Sequence, residues 1–214
     1  MELILEDGQS VLFIGDSITD AGRRQDNARA LGFGYVAYIA DFLAARYPER
    51  SIRILNRGIG GDRVLELQRR WTEDVIAHRP DWVSISIGIN DVWRLVAGIP
   101  EAHVPLDQYK TVYRELLEQT QQETEARLIL METSVIGEDP DNEANGILKD
   151  YNAAIREFAE EFGAVLVPIF TAFCRAIRSR PGFAWTSDGV HPLPPGHMLM
   201  ATTWLEAVGA LPPR

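Results

Sequence analysis

The chain has 214 residues, 46% of them apolar and 24% charged, enough for one domain that buries about 70% of its unfolded surface. Its 21 lysines and arginines against 31 acids leave a formal charge of −10, which argues against nucleic acid and anionic membranes, since both need a basic footprint. One cysteine excludes an internal disulfide, the opening MELILEDGQS lacks the regions of a signal peptide, and no apolar run approaches the ~20 residues that span a bilayer, so a cytoplasmic protein is expected.

In chain order, a strand is expected at 11–15 (VLFIG), then a helix at 34–46 and a strand at 52–55 (IRIL). A helix at 62–78 leads to the strand 82–88 (WVSISIG), and a helix at 107–123, with Asp107 as its N-cap, leads to the strand 127–131 (RLILM). A helix at 146–162, a strand at 164–167 (AVLV) and a helix at 195–208 complete the series. Cys174 lies in the helical-looking run IFTAFCRAI and reads as a small buried apolar residue. Near-continuous apolar strands are those of a parallel sheet covered on both faces. Their alternation with helices predicts an α/β fold: one doubly wound, three-layer α/β/α sandwich on a five-stranded parallel sheet, residues 1–214 forming a single domain.

Ligands of such sheets bind beyond the C-terminal ends of the strands. The residues there are Asp16-Ser17, NRGIGGDR (56–63), IND (89–91) and ETS (132–134), with long polar loops expected after the first, third and fourth strands. The glycine-rich GIGG (58–61) fails the dinucleotide fingerprint, which needs glycine where Arg63 stands. It reads either as a turn into a helix or as a donor, with Gly61 opening the helix and leaving its N–H free for a developing oxyanion. DSITD (16–20) fails a phosphatase nucleophile loop, whose second aspartate would fall at Ile18.

SDGVHP (187–192) supplies an acid and a base three residues apart, in a stretch too rich in Gly and Pro for a regular helix. A serine hydroxyl needs an imidazole to take its proton, and the imidazole needs a carboxylate to fix its tautomer. Ser17, His191 and Asp188 can fill these roles. Singly they have plainer readings, the serine as a helix cap and the histidine as a surface or satisfied core residue. His78, His103 and His197 sit in a helix end, a polar loop and a first helical turn, and no metal-ligand pairing such as HExxH occurs. Asn90, directly past the third strand, either satisfies a turn or donates its amide to an oxyanion alongside the N–H groups of Ser17 and Gly61.

Four blocks, FIGDSITD (13–20), NRGIGGD (56–62), IGIND (87–91) and DGVHP (188–192), resemble those of the GDSL or SGNH hydrolases, in the same order. The resemblance implies a flavodoxin-like fold of the SGNH type, with Ser17 as nucleophile, Gly61 and Asn90 as oxyanion donors, and Asp188 and His191 completing the triad. Here the first block reads GDSI rather than GDSL, and Gly60 replaces a small polar residue common in the second. Longer runs, such as GYVAYIADFLAARYPE (34–49) and RWTEDVIAHRPDWVSISIGINDVWR (70–94), are similar to the intracellular acetylxylan esterases of bacteria, carbohydrate deacetylases that can form ring-like homo-oligomers. The segment between Trp185 and Val190 is longer here than in that branch.

The resemblance thus implies a serine esterase for acetylated sugars, needing no metal or organic cofactor and associating as a homo-oligomer. Asp16, Trp93 and Trp185 are candidate substrate contacts, Asp20 and Arg63 candidate rim residues, and Trp71, Trp82 and Trp204 core. The rival enzyme reading is a broad carboxylesterase, lysophospholipase or thioesterase. The rival of another class is a non-catalytic sugar-binding or assembly protein, which has no need of a matched Asp and His.

Overall fold

A computed structural model describes residues 2–212. Strand β1 (Ser10–Gly15) is buried at every position, as a run covered on both faces must be, and leads into the short helix α1 (Ser17–Asp20). Next come α2 (Tyr35–Arg46), β2 (Arg53–Asn56), α3 (Val64–Asp74), β3 (Trp82–Ser86), α4 (Ile89–Val96), α5 (Leu106–Glu123), β4 (Arg127–Met131), α6 (Glu143–Glu161), β5 (Val165–Val167), α7 (Ile169–Ser179) and α8 (Pro194–Ala207). The five strands form one parallel sheet in the order β2-β1-β3-β4-β5, with Val11 opposite both Ile54 and Trp82, and Ile85 opposite Ile14 and Leu130. That is the flavodoxin-like order, whose direction reverses between β1 and β3.

Two groups of helices cover the sheet: α2 and α7 pack on α8, while α5 packs between α3 and α6. Trp71, Trp82 and Trp204 are core, as expected, and each indole N–H has an acceptor, Thr120 Oγ1, Gln9 Oε1 and Ser84 Oγ respectively. Cys174 is buried in α7.

The structure differs from the sequence reading at several places. β3 stops at Ser86 because Gly88 adopts φ +127°, so the expected long polar loop is instead α4, which starts at once. α5 begins at Leu106 with Pro105 as its N-cap; Asp107 lies in the first turn, where a negative charge suits the helix dipole, but does not cap it. α3 begins at Val64, two residues later than expected, and ends at Asp74, with a separate 3₁₀ turn at Ile76–His78. α6 starts early, at Glu143, because the Asn142 side chain accepts from Asn145 N–H at 2.8 Å.

Candidate active site

Ser17 stands two residues beyond a strand with no free space around its end. A β-carbon on Gly15 would lie 2.2 Å from Ser86 O and 2.5 Å from Thr19 Oγ1, so only glycine lets β1 reach this point beside β3. Asp16 then turns the chain. Its carboxylate accepts from Ile18 N–H at 2.9 Å and caps α1, which makes Ser17 the first helical residue with an N–H that has no partner within the helix. Asp16 is only 2% exposed, which runs against the expectation that it touches substrate, and burial pushes its pKa up to about 7. Among Asp16, Ser17 and Ile18, only the serine is partly exposed.

The second block follows β2 and runs beside β1. Arg57 N–H donates to Phe13 O and Ile59 N–H to Gly15 O, so parallel pairing continues past the end of the strand. Pairing stops at a turn through Gly60 and Gly61. Gly61 adopts φ +85°, and a β-carbon on Gly60 would stand 3.8 Å from Ser17 Cβ, which sets this turn against the serine. Gly61 does not open a helix, contrary to the expectation from sequence, since α3 starts at Val64. Its N–H nonetheless has no acceptor among the described residues.

From α4, Asn90 donates one amide hydrogen to Asp62 O at 3.0 Å, and its second has no acceptor among the described residues. Asp91, fully buried, accepts from Val64 N–H at 3.1 Å, and burial lifts its pKa to about 7. The first, second and third blocks therefore meet at the switch point of the sheet.

The fourth block lies in a loop closed on itself by Ser187 N–H to His191 O and Leu193 N–H to Trp185 O. Asp188 Oδ1 accepts from the N–H groups of Val190 and His191, while Oδ2 lies 2.7 Å from His191 Nδ1. Desolvation pushes the Asp188 pKa up, but the hydrogen bonds from the His191 backbone and ring and from Val190 outweigh it and hold the carboxyl at about 2. The other ring nitrogen of His191, Nε2, is 2.9 Å from Ser17 Oγ. With Nδ1–H donating to Asp188, Nε2 is left to accept from the serine. This arrangement lets a hydroxyl shed its proton as it attacks an electrophile, with the resulting imidazolium beside a carboxylate. The Asp188 and His191 side chains are 54% and 47% exposed, so the site is an open surface.

The other histidines are engaged elsewhere. His103 Nδ1 is 2.6 Å from Asp91 O, and His197 Nδ1 accepts from Tyr35 N–H, its pKa lowered to about 4 chiefly by burial. His78 ends the 3₁₀ turn. Trp93 is half-buried on α4 with the Arg94 guanidinium 5.3 Å from its ring centre, and Trp185 is half-buried edge-on to Phe183. Asp20 and Arg23 form an ion pair near the rim, whereas Arg63 bonds Glu66 and Ala102 O.

Two further residues shape the site without having been singled out from the sequence. Asn56 donates to Thr19 O and Leu31 O and accepts from Gly58 N–H, binding the first block to the second. Glu138, in the loop after β4, accepts from Trp185 N–H, Thr186 N–H and Thr186 Oγ1, each at 2.7 Å. Asn56 was legible as part of NRGIGGD, whereas Glu138 sits among four other acids between 132 and 143 and carries no local signal.

Known proteins share this layout. The chain is 41% identical over 208 residues to an acetylxylan esterase of Geobacillus stearothermophilus, covering 94% of each. A crystal structure of an acetylxylan esterase from that organism superposes with a TM-score of 0.88 at 40% identity, covering 98% of this chain and 97% of that one. Catalytic mutants of that enzyme replace a serine, a histidine and an aspartate by alanine, the last two three positions apart, as His191 and Asp188 are here. An α/β-hydrolase enzyme from the metagenome of Lake Arreo, Spain, matches at TM-score 0.90 and 34% identity, covering 99% of this chain and 100% of that one. Residues 13–199 match the GDSL-like Lipase/Acylhydrolase family, and the chain belongs to that family.

Proposed function

We propose that this protein is a serine esterase that hydrolyses short-chain esters, removing acetyl groups from xylo-oligosaccharides or related acetylated sugars. The observation that carries the reading is the line of hydrogen bonds from Asp188 through His191 to Ser17, at 2.7 and 2.9 Å. Ser17 attacks the ester carbonyl as His191 takes its proton, and the Ser17 and Gly61 N–H groups with the Asn90 amide receive the oxyanion. His191 then gives that proton to the leaving sugar oxygen, which departs as a hydroxyl, and activates water to release acetate from the acyl-enzyme. Trp93 and Trp185 offer apolar faces for a sugar ring. The substrate class is supported by the similarity to the Geobacillus acetylxylan esterase. Cytoplasmic location and homo-oligomeric assembly belong to the same proposal, supported by the resemblance to intracellular esterases; light scattering reads the assembly.

A broader carboxylesterase is the second reading, favoured by the exposed apolar side chains of Leu95, Val96 and Ile99 just past Trp93. Hydrolysis of a p-nitrophenyl ester series from acetyl to dodecanoyl, beside acetylated xylo-oligosaccharides, separates the two. Preference for acetyl and release of acetate from the oligosaccharide are expected, and preference for long chains overturns the sugar reading. Ser17→Ala is expected to abolish both reactions with the fold intact. Full activity in that variant would sink the serine mechanism and leave room for a binding protein.

A further inference from the structure

We infer that Arg70 is a positioning residue that clamps the oxyanion turn to the end of the nucleophile's strand. Backbone pairing fixes the second block only as far as Ile59, whose N–H reaches Gly15 O at 3.0 Å. The next residues, Gly60 and Gly61, have neither side chains nor ladder bonds to hold them. The turn is held on its far side at Asp62, and Arg70 from α3 is what holds the Asp62 side chain: Nε donates to Asp62 Oδ2 at 2.8 Å. The same guanidinium donates through Nη1 to Arg57 O at 2.8 Å and through Nη2 to Gly15 O at 3.1 Å. Gly15 is two residues before Ser17, and Arg57 and Asp62 bracket the turn that carries Gly61. One rigid, planar group therefore spans the nucleophile's strand and both ends of the loop. A lysine ammonium, a point charge on a flexible stem, cannot make that span.

Arg70 is 13% exposed and also pairs with Asp74 Oδ2 at 2.8 Å, and Asp74 in turn lies 4.0 Å from the Arg57 guanidinium, so it backs the clamp from behind. Asn90 holds the Asp62 carbonyl from the other side, so Asp62 is gripped by its backbone from α4 and by its side chain from α3. Misplacement of about 1 Å at a reacting centre can cost about 10²-fold in rate, so a clamp of this kind is worth more in turnover than in binding. The clamp rests on the serine-esterase reading, because it acts by setting Gly61 against Ser17.

The test compares wild-type protein with Arg70→Lys, Arg70→Ala and Asp62→Ala on p-nitrophenyl acetate, with active sites counted by burst titration. Arg70→Lys and Asp62→Ala are expected to lose about 10²-fold in kcat per titrated site, with KM changed less than about threefold. Arg70→Ala should regain part of that loss when guanidinium is supplied. Folded Arg70→Lys with wild-type kcat per site overturns the clamp. If Arg70→Lys does not fold, Asp62→Ala decides by the same criterion. An inactive wild-type protein overturns the esterase reading itself, which keeps the two failures apart.

Discussion

At Asp188 the chemistry depends on a carboxylate that stays charged while half in water. Its hydrogen bonds from His191 and Val190 hold its pKa at about 2, below the ordinary 3.8. Its contribution to stability is therefore present above the ordinary value and is lost only as pH falls toward 2. Through neutral pH it remains ionised and available to a charged His191. Replacing it by asparagine removes the charge and frees the imidazole to take the other tautomer. Asp188→Asn is expected to lower kcat by about 10²–10⁴, with KM little changed, in steady-state assays on p-nitrophenyl acetate. Asn90 has a different role, since its free amide hydrogen is an oxyanion donor in the proposed mechanism. Asn90→Ala should cost about 10²–10³ in kcat, and its loss of the bond to Asp62 O should appear as a lower Tm.

The site is assembled by elements that reach it from four separated parts of the chain. β1 delivers Ser17, the turn before α3 delivers Gly61, α4 delivers Asn90, and the loop before α8 delivers Asp188 and His191. The last of these has little regular structure of its own, only a single bridge between Thr186 and Pro192. Its position comes from the loop after β4, through Glu138 and through Gly137 N–H donating to Gly189 O. Three acceptances by one carboxylate oxygen locate the start of the Asp-His loop. Glu138→Ala is expected to lower kcat about tenfold by loosening that loop, and Glu138→Gln, which keeps the acceptor, to restore most of it. Equal kcat values in both variants and wild type would show that the loop is held without Glu138.

Across the whole molecule, the cost of this architecture is buried acid. Asp16 and Asp91 both have pKa values raised to about 7 by desolvation, and Asp62 is pushed up as well. A carboxyl whose folded pKa lies above its unfolded value binds more protons when folded. The stability it contributes is full below the ordinary 3.8 and declines as pH rises to about 7. His197, lowered to about 4, works the other way between that value and 6.5, because the unfolded imidazole takes up the proton that the buried one refuses. The acids outnumber it, so the urea midpoint is expected to be lower at pH 8 than at about pH 5. Asp16→Asn, which keeps an N-cap side chain, should flatten that slope relative to wild type. An unchanged slope would show that Asp16 is not the group responsible.

Much of the fold was written in the sequence. Apolar runs of the length of VLFIG and WVSISIG, alternating with helical stretches, are those of strands covered on both faces, so the parallel sheet and its order of elements follow from composition and spacing. Ser17, Asn90, Asp188 and His191 stood out because they follow strands or sit in a Gly-Pro loop, but singly each had a plainer reading, and it was the four blocks in their order that marked them. The short helices α1 and α4 were not legible, because each is fixed by one turn residue, a buried cap at Asp16 and a positive φ at Gly88. Nor could the sequence show that Asp16 is buried, or that Gly61 lies in a turn ahead of its helix. Those outcomes depend on which oxygen or N–H stands opposite, and only the folded sheet brings Ser86, Ile59 and Arg70 to those places. Residue type and local spacing determined which groups the site contains; long-range hydrogen bonding decided how they are held.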